Sequence, residues 1–189
     1  MKTRGAILRQ APGKYEVGDL VLDEPIEDEI QVELVASGLC HSDYHVATGD
    51  LPVERFPICG GHEGAGVVQK VGPNTRGWDI GDHVVFSFLP ACGRCHWCAT
   101  GHQNLCDRGA SGLSGPRADG SPRLRMNDGT NVDHMLGIST FAAHTIAHVN
   151  SAIKVDKDLP LEKLCLLGCG VGTGWARRST LPKPARATP

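Results

Sequence analysis

Four cysteines lie within one fifteen-residue stretch of this chain and constrain its structure more than any other feature. They are Cys92, Cys95, Cys98 and Cys106, with the spacing C-x2-C-x2-C-x7-C. One short loop with that spacing can surround a tetrahedral ion with four thiolates, which leaves no coordination position for another molecule. The alternatives are free buried cysteines or iron–sulfur ligands, although the ferredoxin run C-x2-C-x2-C-x3-C has a different last spacing. The pattern predicts a structural zinc site.

Composition narrows the class of protein. The chain has 189 residues, 40% of them hydrophobic and 21% charged, which predicts one ordinary soluble domain. A formal net charge of -2 with interspersed signs predicts neither a nucleic-acid partner nor a membrane-binding patch. The segment MKTRGAILRQ resembles no signal peptide or spanning helix, so we expect a cytoplasmic protein. Eight cysteines in a reducing compartment point to metal binding or thiol chemistry.

The pattern along the chain predicts a mainly β fold. Stretches rich in β-branched residues, separated by some of the 24 glycines and 12 prolines, predict strands at residues 29–36, 66–71, 83–88, 141–149 and 152–155. Short helices are predicted at residues 42–48 and 161–167, and loops at 92–107 and 109–131. Together these elements indicate a compact antiparallel β-barrel with a few short helices and a zinc-binding loop.

Several motifs in order carry a resemblance to a known family. The segments GLCHSDYH, GGHEGAG, GDHVV, the four-cysteine loop and LGCGVGTG resemble those of zinc-dependent medium-chain alcohol dehydrogenases, whose catalytic domain is a GroES-like β-barrel. The resemblance covers about residues 1–174. It implies that Cys40, His62 and Cys169 hold a catalytic zinc whose fourth position stays open to water or alcohol, the known ligand set of alcohol dehydrogenases. The chain would then bind two zinc ions.

The same resemblance assigns roles around that metal. Asp43 would orient the imidazole of His62, although an aspartate there is also a common helix cap. Glu63 would be the carboxylate near the zinc. Ser42 and His45 would form a proton relay in which the serine takes the alcohol proton, the cofactor ribose passes it on and the histidine releases it. His45 would thus also contact the cofactor; its alternative is a surface histidine on a short helix.

Further positions match the family less specifically. Phe88 and Leu136 resemble substrate-pocket residues and Thr173 resembles a nicotinamide contact, but all three could equally be ordinary core residues. Cys59 and Cys165 match no ligand position and are predicted to be small buried hydrophobic residues.

The resemblance ends near Trp175. The glycines around Cys169 do not form a dinucleotide-binding G-x-G-x-x-G loop, and we expect them to belong to the zinc-ligand turn. Residues 1–174 are then an incomplete catalytic domain, cut off before the nucleotide-binding domain. Residues 175–189 are expected to be a non-native tail without regular structure, in which residues 176–189 arise from a frameshift.

The resemblance implies zinc-dependent oxidation of alcohols to aldehydes with NAD, with a small-molecule alcohol or aldehyde as partner. We expect this chain to be inactive alone, because nothing in it would hold the hydride acceptor, and the truncation leaves its oligomeric state open. One alternative is a thiol-adduct formaldehyde dehydrogenase, which the unusual loop at 109–131 permits. The other is a metal-binding or interaction module without catalysis, which need not bind NAD.

Overall fold

A computed structural model describes residues 1–111, 117 and 119–180 of the chain. The described residues form ten strands: β1 (Lys2–Leu8), β2 (Glu16–Leu22), β3 (Glu29–Ser37), β4 (Ile58–Cys59), β5 (Gly64–Val71), β6 (His83–Phe86), β7 (Leu124–Met126), β8 (Asn131–His134), β9 (His144–His148) and β10 (Ala152–Val155). They also form four α-helices: α1 (His41–Thr48), α2 (His96–Ala99), α3 (Leu161–Leu164) and α4 (Gly170–Thr180). The prediction of a mainly β fold with few short helices is confirmed.

The strands form two hydrogen-bonded groups. A closed barrel has the order β1-β2-β7-β8-β4, and a five-stranded sheet has the order β10-β6-β5-β3-β9. The longest pairing joins β3 to β5, from Ile30 opposite Val71 to Ser37 opposite Gly64. The predicted barrel is confirmed, but it is not wholly antiparallel, because β4 and β8 pair in parallel. A two-residue strand such as β4 carries no readable period, which is why the sequence did not reveal this pair.

Apolar side chains fill the interior of each group. Ile7, Leu20 and Leu124 are buried together with Cys59 in the barrel, and Phe86 is buried in the core of the sheet. Full burial of an aliphatic or aromatic side chain stabilises the fold by about 1.5–3 kcal/mol relative to exposure. Cys59 and Cys165 are both buried, as predicted. Burial raises the pKa of Cys59 to about 12, so it stays a neutral thiol.

Most predicted strands match the observed ones to within two residues, and the exception is the segment 141–149. Its strand begins only at His144. Phe141 instead uses its backbone in other pairings: its N–H donates to the carbonyl of Gly60 at 3.0 Å, and its carbonyl accepts from Ala6 at 2.8 Å. The first residues of the segment therefore connect the barrel to the sheet.

The helix predicted at 161–167 ends early. The α-helical part stops at Leu164, and a 3₁₀ turn continues as Cys165–Gly168. This tighter turn brings the backbone at Gly168 against β6, where a β-carbon on Gly168 would lie 2.4 Å from the carbonyl oxygen of Phe86.

The predicted loop at 109–131 contains regular structure. Strand β7 lies within it and pairs with both β2 and β8. Three residues are too few to show the alternation of a strand, although Leu124 is fully buried. Residues 112–116 and 118 of this segment lie outside the described part of the chain. The other predicted loop, 92–107, contains the short helix α2 and a 3₁₀ turn at Gln103–Leu105.

Helix α4 crosses the boundary that we expected near residue 174. It runs without a break from Gly170 to Thr180, so the expectation of no regular structure is wrong for residues 175–180. Ala176, Arg177 and Arg178 are favourable or neutral in a helix, and arginines near its end complement the helix dipole. The glycines after Cys169 thus lie in a helix and not in a turn. Residues 181–189 are outside the described residues.

Among the residues that the structure describes, no helix combines the length and the apolar character needed to cross a membrane.

Candidate metal centres

The four cysteines of the 92–107 segment meet in one cluster. The sulfur atoms of Cys92, Cys95, Cys98 and Cys106 all lie within 4.8 Å of one another. Backbone N–H groups surround them: Cys92 donates to the sulfur of Cys106 at 3.4 Å, Cys95 to that of Cys92 at 3.4 Å, and Cys98 to that of Cys95 at 3.5 Å. The last of these bonds also caps the start of α2. The fold therefore brings together the predicted ligands in one small lobe.

The thiols of this lobe differ in how readily they ionise, and burial raises the pKa of Cys98 to about 12. Backbone hydrogen bonds from Arg94 and Cys95 lower the pKa of Cys92 to about 6. Thiolate is the form that binds a metal, and four sulfur donors within 4.8 Å of one another suit zinc. The described residues around the cluster fit a closed site, because the four sulfurs would satisfy a tetrahedral ion completely.

A second cluster joins residues that are far apart in sequence. The ligand atoms of Cys40, His62, Glu63 and Cys169 all lie within 4.8 Å of one another. Cys40 caps the start of α1 just after β3, and His62 and Glu63 directly precede β5. Because the end of β3 pairs with the start of β5, these residues are brought to the same edge of the sheet.

Cys169 reaches this edge through the turn that precedes α4. Gly168 lies directly against the carbonyl of Phe86 at the end of β6, and the β-carbon position of Gly168 is 3.9 Å from the carbonyl oxygen of His62. Any side chain at residue 168 would have to push this backbone away. The glycine therefore places the third ligand beside the other two.

Asp43 lies directly behind His62. Its Oδ1 atom is 3.1 Å from Nδ1 of His62, and both residues are buried. Its Oδ2 atom accepts a hydrogen bond from the backbone N–H of Cys40 at 3.0 Å, which completes a capping box at the start of α1. The two interpretations of this aspartate are thus compatible. Since Nδ1 of His62 is held by Asp43, Nε2 is left to face a metal.

The three predicted ligands have different electrostatic surroundings. Burial disfavours the Cys40 thiolate, but hydrogen bonds from Ser42 and the charge of His62 outweigh this effect, so the pKa of Cys40 is lowered. Burial raises the pKa of Cys169. Burial also opposes protonation of His62, but the hydrogen bond and charge of Asp43 prevail and raise its pKa. The thiol of Cys40 therefore ionises readily, whereas that of Cys169 needs a nearby cation to favour its thiolate.

Glu63 is almost fully buried beside the ligand atoms. Its backbone carbonyl accepts from the Ser37 hydroxyl at 2.8 Å and from the Gly38 N–H at 3.0 Å. Its Oε2 atom lies 3.4 Å from the backbone nitrogen of Gly170, at the start of α4. The backbone of Glu63 is therefore held at the end of β3, and its carboxylate lies beside the start of α4.

Two hydroxyl groups flank the two thiols. Ser42 Oγ lies 3.6 Å from the sulfur of Cys40, and Thr173 Oγ1 lies 3.9 Å from that of Cys169. His45 lies one helical turn beyond Ser42 on α1 and contacts Asp50 through Nδ1 at 3.3 Å. Ser42 and Thr173 thus join the cluster, whereas His45 lies beside it.

One of the two predicted pocket residues lies beside this cluster. The ring of Phe88 meets that of His62 edge to face, with centroids 5.6 Å apart. Leu136 packs with Phe88 against the core of the five-stranded sheet and has a positive φ of 52°. Phe88 therefore gives the cluster an apolar contact, whereas Leu136 lies in the packing around the core of the sheet.

Sequence reasoning missed a buried ionic network. The Glu29 carboxylate accepts hydrogen bonds from Nε and Nη2 of Arg117 at 3.0 and 2.9 Å and from Nε of Arg123 at 2.8 Å. Both arginines fall in the segment predicted to be a loop, and nothing in their spacing indicates Glu29 as their partner. The network anchors this segment to β3 and lines a cavity of about 860 Å³ that Leu136 also borders.

Comparisons with known proteins agree with this arrangement. An NDMA-dependent alcohol dehydrogenase of Amycolatopsis methanolica is 50% identical over 176 residues, and an S-(hydroxymethyl)glutathione dehydrogenase of Paracoccus denitrificans is 40% identical over 176 residues. These alignments cover 93% and 92% of this chain, respectively, and 47% of each relative. The chain thus spans about half the length of the curated relatives it matches.

A solved structure and a family model match the same region. The crystal structure of an alcohol dehydrogenase zinc-binding domain protein from Burkholderia ambifaria superposes with a TM-score of 0.83 at 40% identity, covering 92% of this chain and 47% of that one. The model of the alcohol dehydrogenase GroES-like domain matches residues 26–157, which include the four-cysteine lobe and two of the three dispersed ligands. The chain belongs to the alcohol dehydrogenase GroES-like domain family.

Proposed function

We propose that this chain is the zinc-binding catalytic part of an enzyme that oxidises alcohols to aldehydes with NAD. The observation that carries the proposal is the coexistence of two different metal-ligand sets. One set consists of four sulfurs and would be closed, whereas the other joins Cys40, His62 and Cys169 with the carboxylate of Glu63. We assign the zinc to the two thiolates and the imidazole, so that a fourth position beside Glu63 would stay open to an exchangeable ligand. Catalytic zinc sites keep such a position for the reacting molecule.

The side chains of the second ligand set would have different roles. Cys40, His62 and Cys169 would hold the zinc, with two thiolates that neutralise its charge, and Asp43 would fix the imidazole of His62. Zinc bound there supplies a Lewis acid that favours the ionised form of an alcohol. Glu63 adds a buried carboxylate beside the ligands.

The proton of the alcohol would leave along α1. Ser42 lies at the sulfur of Cys40 and would take the proton first. His45 is three residues further along the helix, hence on the same face, and would release the proton to water. Phe88 and Leu136 would contact the apolar part of the alcohol, and Thr173 the nicotinamide.

The relatives favour an alcohol over a thiol adduct as substrate. The relative named an NDMA-dependent alcohol dehydrogenase is 50% identical, whereas the one named an S-(hydroxymethyl)glutathione dehydrogenase is 40% identical over the same length. We therefore keep alcohol oxidation as the proposed reaction.

We further propose that the 189-residue chain alone does not turn over alcohol. Positioning two reactants contributes roughly 7–11 kcal/mol to the lowering of a barrier. The described residues form a barrel, a sheet and short helices, without the doubly wound sheet that holds a dinucleotide. Calorimetry with NAD should therefore show no binding, and ethanol turnover by the purified chain would contradict this proposal.

Cobalt substitution tests whether the second ligand set is open. Co²⁺ bound to thiolates absorbs visible light, and its spectrum reports a new ligand. Imidazole or 1-pentanol added to the cobalt-loaded chain should change this spectrum, and the Cys169→Ala variant, which keeps the four-cysteine lobe, should show no change. A wild-type spectrum that neither compound alters would contradict an open site, and an equal change in the variant would place the binding elsewhere.

A further inference from the structure

His45 and Asp50 form a pair at the C-terminal end of α1. The Nδ1 atom of His45 lies 3.3 Å from Oδ2 of Asp50. The same carboxylate oxygen accepts a hydrogen bond from the hydroxyl of Thr48 at 2.6 Å. Two side chains of the helix therefore meet on one carboxylate oxygen of a residue beyond the helix end.

The backbone explains how Asp50 reaches back to the helix. Gly49 ends α1 in the left-handed conformation, with φ 86°, which few residues other than glycine adopt readily. The N–H of Leu51 then donates to the carbonyl of His45 at 3.0 Å. This turn reverses the chain and holds residue 50 beside the last turn of α1.

A carboxylate at this end of a helix is electrostatically unfavourable, because the C-terminal end of the helix dipole is negative. Contacts with Thr48 and His45 offset this unfavourable interaction of the Asp50 carboxylate. The hydrogen bond from Thr48, followed by that from His45, lowers the pKa of Asp50, so it is ionised at neutral pH. An ionised carboxylate only accepts hydrogen bonds, and therefore the proton between the two residues belongs to Nδ1 of His45.

We propose that Asp50 is a positioning residue for the proton relay: it fixes the neutral imidazole of His45 as the Nδ1–H tautomer and leaves Nε2 as the nitrogen that accepts the proton. This inference rests on the proposed function of Ser42 and His45 and deepens it. The arriving proton binds to Nε2, both ring nitrogens then carry hydrogen, and the proton on Nε2 leaves to water. Asp50 stays ionised throughout and stabilises the cationic imidazolium.

The surroundings of His45 suit this role. Its side chain is 44% exposed, so a proton on Nε2 has access to solvent. The ring of His41 lies against it, with centroids 4.6 Å apart and planes at 66°, and His41 in turn contacts Tyr44. Asp50 on one side and His41 on the other thus restrict how the ring of His45 turns.

Nitrogen-15 NMR of the zinc-loaded 189-residue chain tests the tautomer directly. Spectra are recorded at a pH where the imidazole of His45 is neutral, which the titration of its own signals identifies. We expect the Nδ1–H tautomer to dominate in the wild-type chain. In Asp50→Ala its population should fall several-fold in favour of Nε2–H, the form that dominates in an imidazole free in water. Asp50→Asn should restore much of the Nδ1–H population, because the amide oxygen still accepts.

Three further measurements distinguish the possible outcomes of this experiment. Thr48→Val removes the second anchor of Asp50, together with the hydroxyl's contacts to the carbonyls of Tyr44 and His45. It should reduce the Nδ1–H population less than Asp50→Ala does. His102, whose ring nitrogen lies near the hydroxyl of Thr100, reports on general changes and should keep its tautomer in every variant. A wild-type His45 that is mainly Nε2–H, or a tautomer that Asp50→Ala leaves unchanged, would overturn the inference. Zinc content measured on the same samples separates this outcome from failure of the proposed metal site.

Discussion

The Nδ1 atom of His62 lies 3.1 Å from Oδ1 of Asp43, and their side chains are only 3% and 1% exposed. The other oxygen of the same carboxylate receives the backbone N–H of Cys40. One aspartate therefore holds the imidazole of one proposed ligand and the backbone of another, which couples the start of α1 to the geometry of the open metal site.

Replacing Asp43 should weaken zinc binding at the open site. Asp43→Asn keeps an oxygen for the Cys40 N–H but loses the charge that favours imidazole ligation, so we expect zinc affinity to fall by about 10–100-fold. Competition with a chromophoric chelator measures this affinity. Asp19→Asn, an exposed residue paired with Arg4, is the matched control and should bind zinc as the wild type does. Equal affinities for Asp43→Asn and the control would refute the role of this hydrogen bond.

Because Gly168 lies close to β6, replacing it should disturb the open metal site, whereas replacing a glycine in α4 should not. A methyl group at residue 168 would meet the carbonyl oxygen of Phe86 at 2.4 Å, so the backbone before Cys169 must move. Gly168→Ala should therefore lose zinc from the open site. Gly172→Ala introduces the same methyl group in α4 where nothing lies within 4 Å, and it should keep both ions. Retention of the full zinc content by Gly168→Ala would show that the turn is not needed to deliver Cys169.

Loss of a ligand should have different effects on stability at the two sites. Cys106→Ser opens the four-sulfur lobe, whose described secondary structure consists only of short helical segments. It should lower the thermal midpoint strongly, because structural zinc contributes directly to folding. Cys169→Ala removes one ligand next to α4 and should lower the midpoint less. Differential scanning calorimetry compares the two variants, and equal losses would contradict this division of roles.

The buried network around Glu29 predicts an acid-dependent loss of stability. Burial opposes ionisation of Glu29, but hydrogen bonding from Arg117 and the charge of Arg123 prevail and lower its pKa. A lowered folded-state pKa stabilises the fold at pH values above the unfolded pKa, about 4.3, and this stabilisation is lost as pH falls through the folded pKa. The free energy of unfolding of the wild type should therefore decrease on acidification below about pH 4.3.

Glu29→Gln isolates this contribution. Near neutral pH it should cost up to about 3–5 kcal/mol of stability, because it removes the carboxylate that two buried arginines share, while Arg117 keeps its ion pair with Asp23. Its stability should also fall less steeply than that of the wild type in acid. Urea unfolding at several pH values measures both effects. Glu33→Gln, on the exposed side of β3, should behave as the wild type does. If the free energy of unfolding falls equally steeply with acidification in the wild type and in Glu29→Gln, the network does not cause the acid sensitivity.

Much of the site could be predicted from local sequence, because cysteine spacing and short motifs carry the chemistry. The four sulfurs of the lobe lie within fifteen residues, so their meeting needs no knowledge of the fold. Cys40, His62 and Cys169 could be grouped only through the family resemblance. Their meeting depends on the pairing of β3 with β5 and on the contact between Gly168 and β6, and neither is encoded within a single segment.

The features that were missed depend on long-range partners. Glu29 and Arg117 are 88 residues apart, and no local pattern links them. Strands β4 and β7 have two and three residues, which is too short for an alternating pattern. Helix α4 begins with alternating glycines, which oppose a helix locally, yet the N–H of Thr173 bonds to the carbonyl of Cys169 at 2.9 Å. Local sequence patterns therefore could not reveal these three features.

Zinc stoichiometry tests the central claim most directly. Elemental analysis of the purified chain after exhaustive dialysis should give two zinc ions per chain, one in the four-cysteine lobe and one at Cys40, His62 and Cys169. A value of one or zero for the wild-type chain would contradict the account.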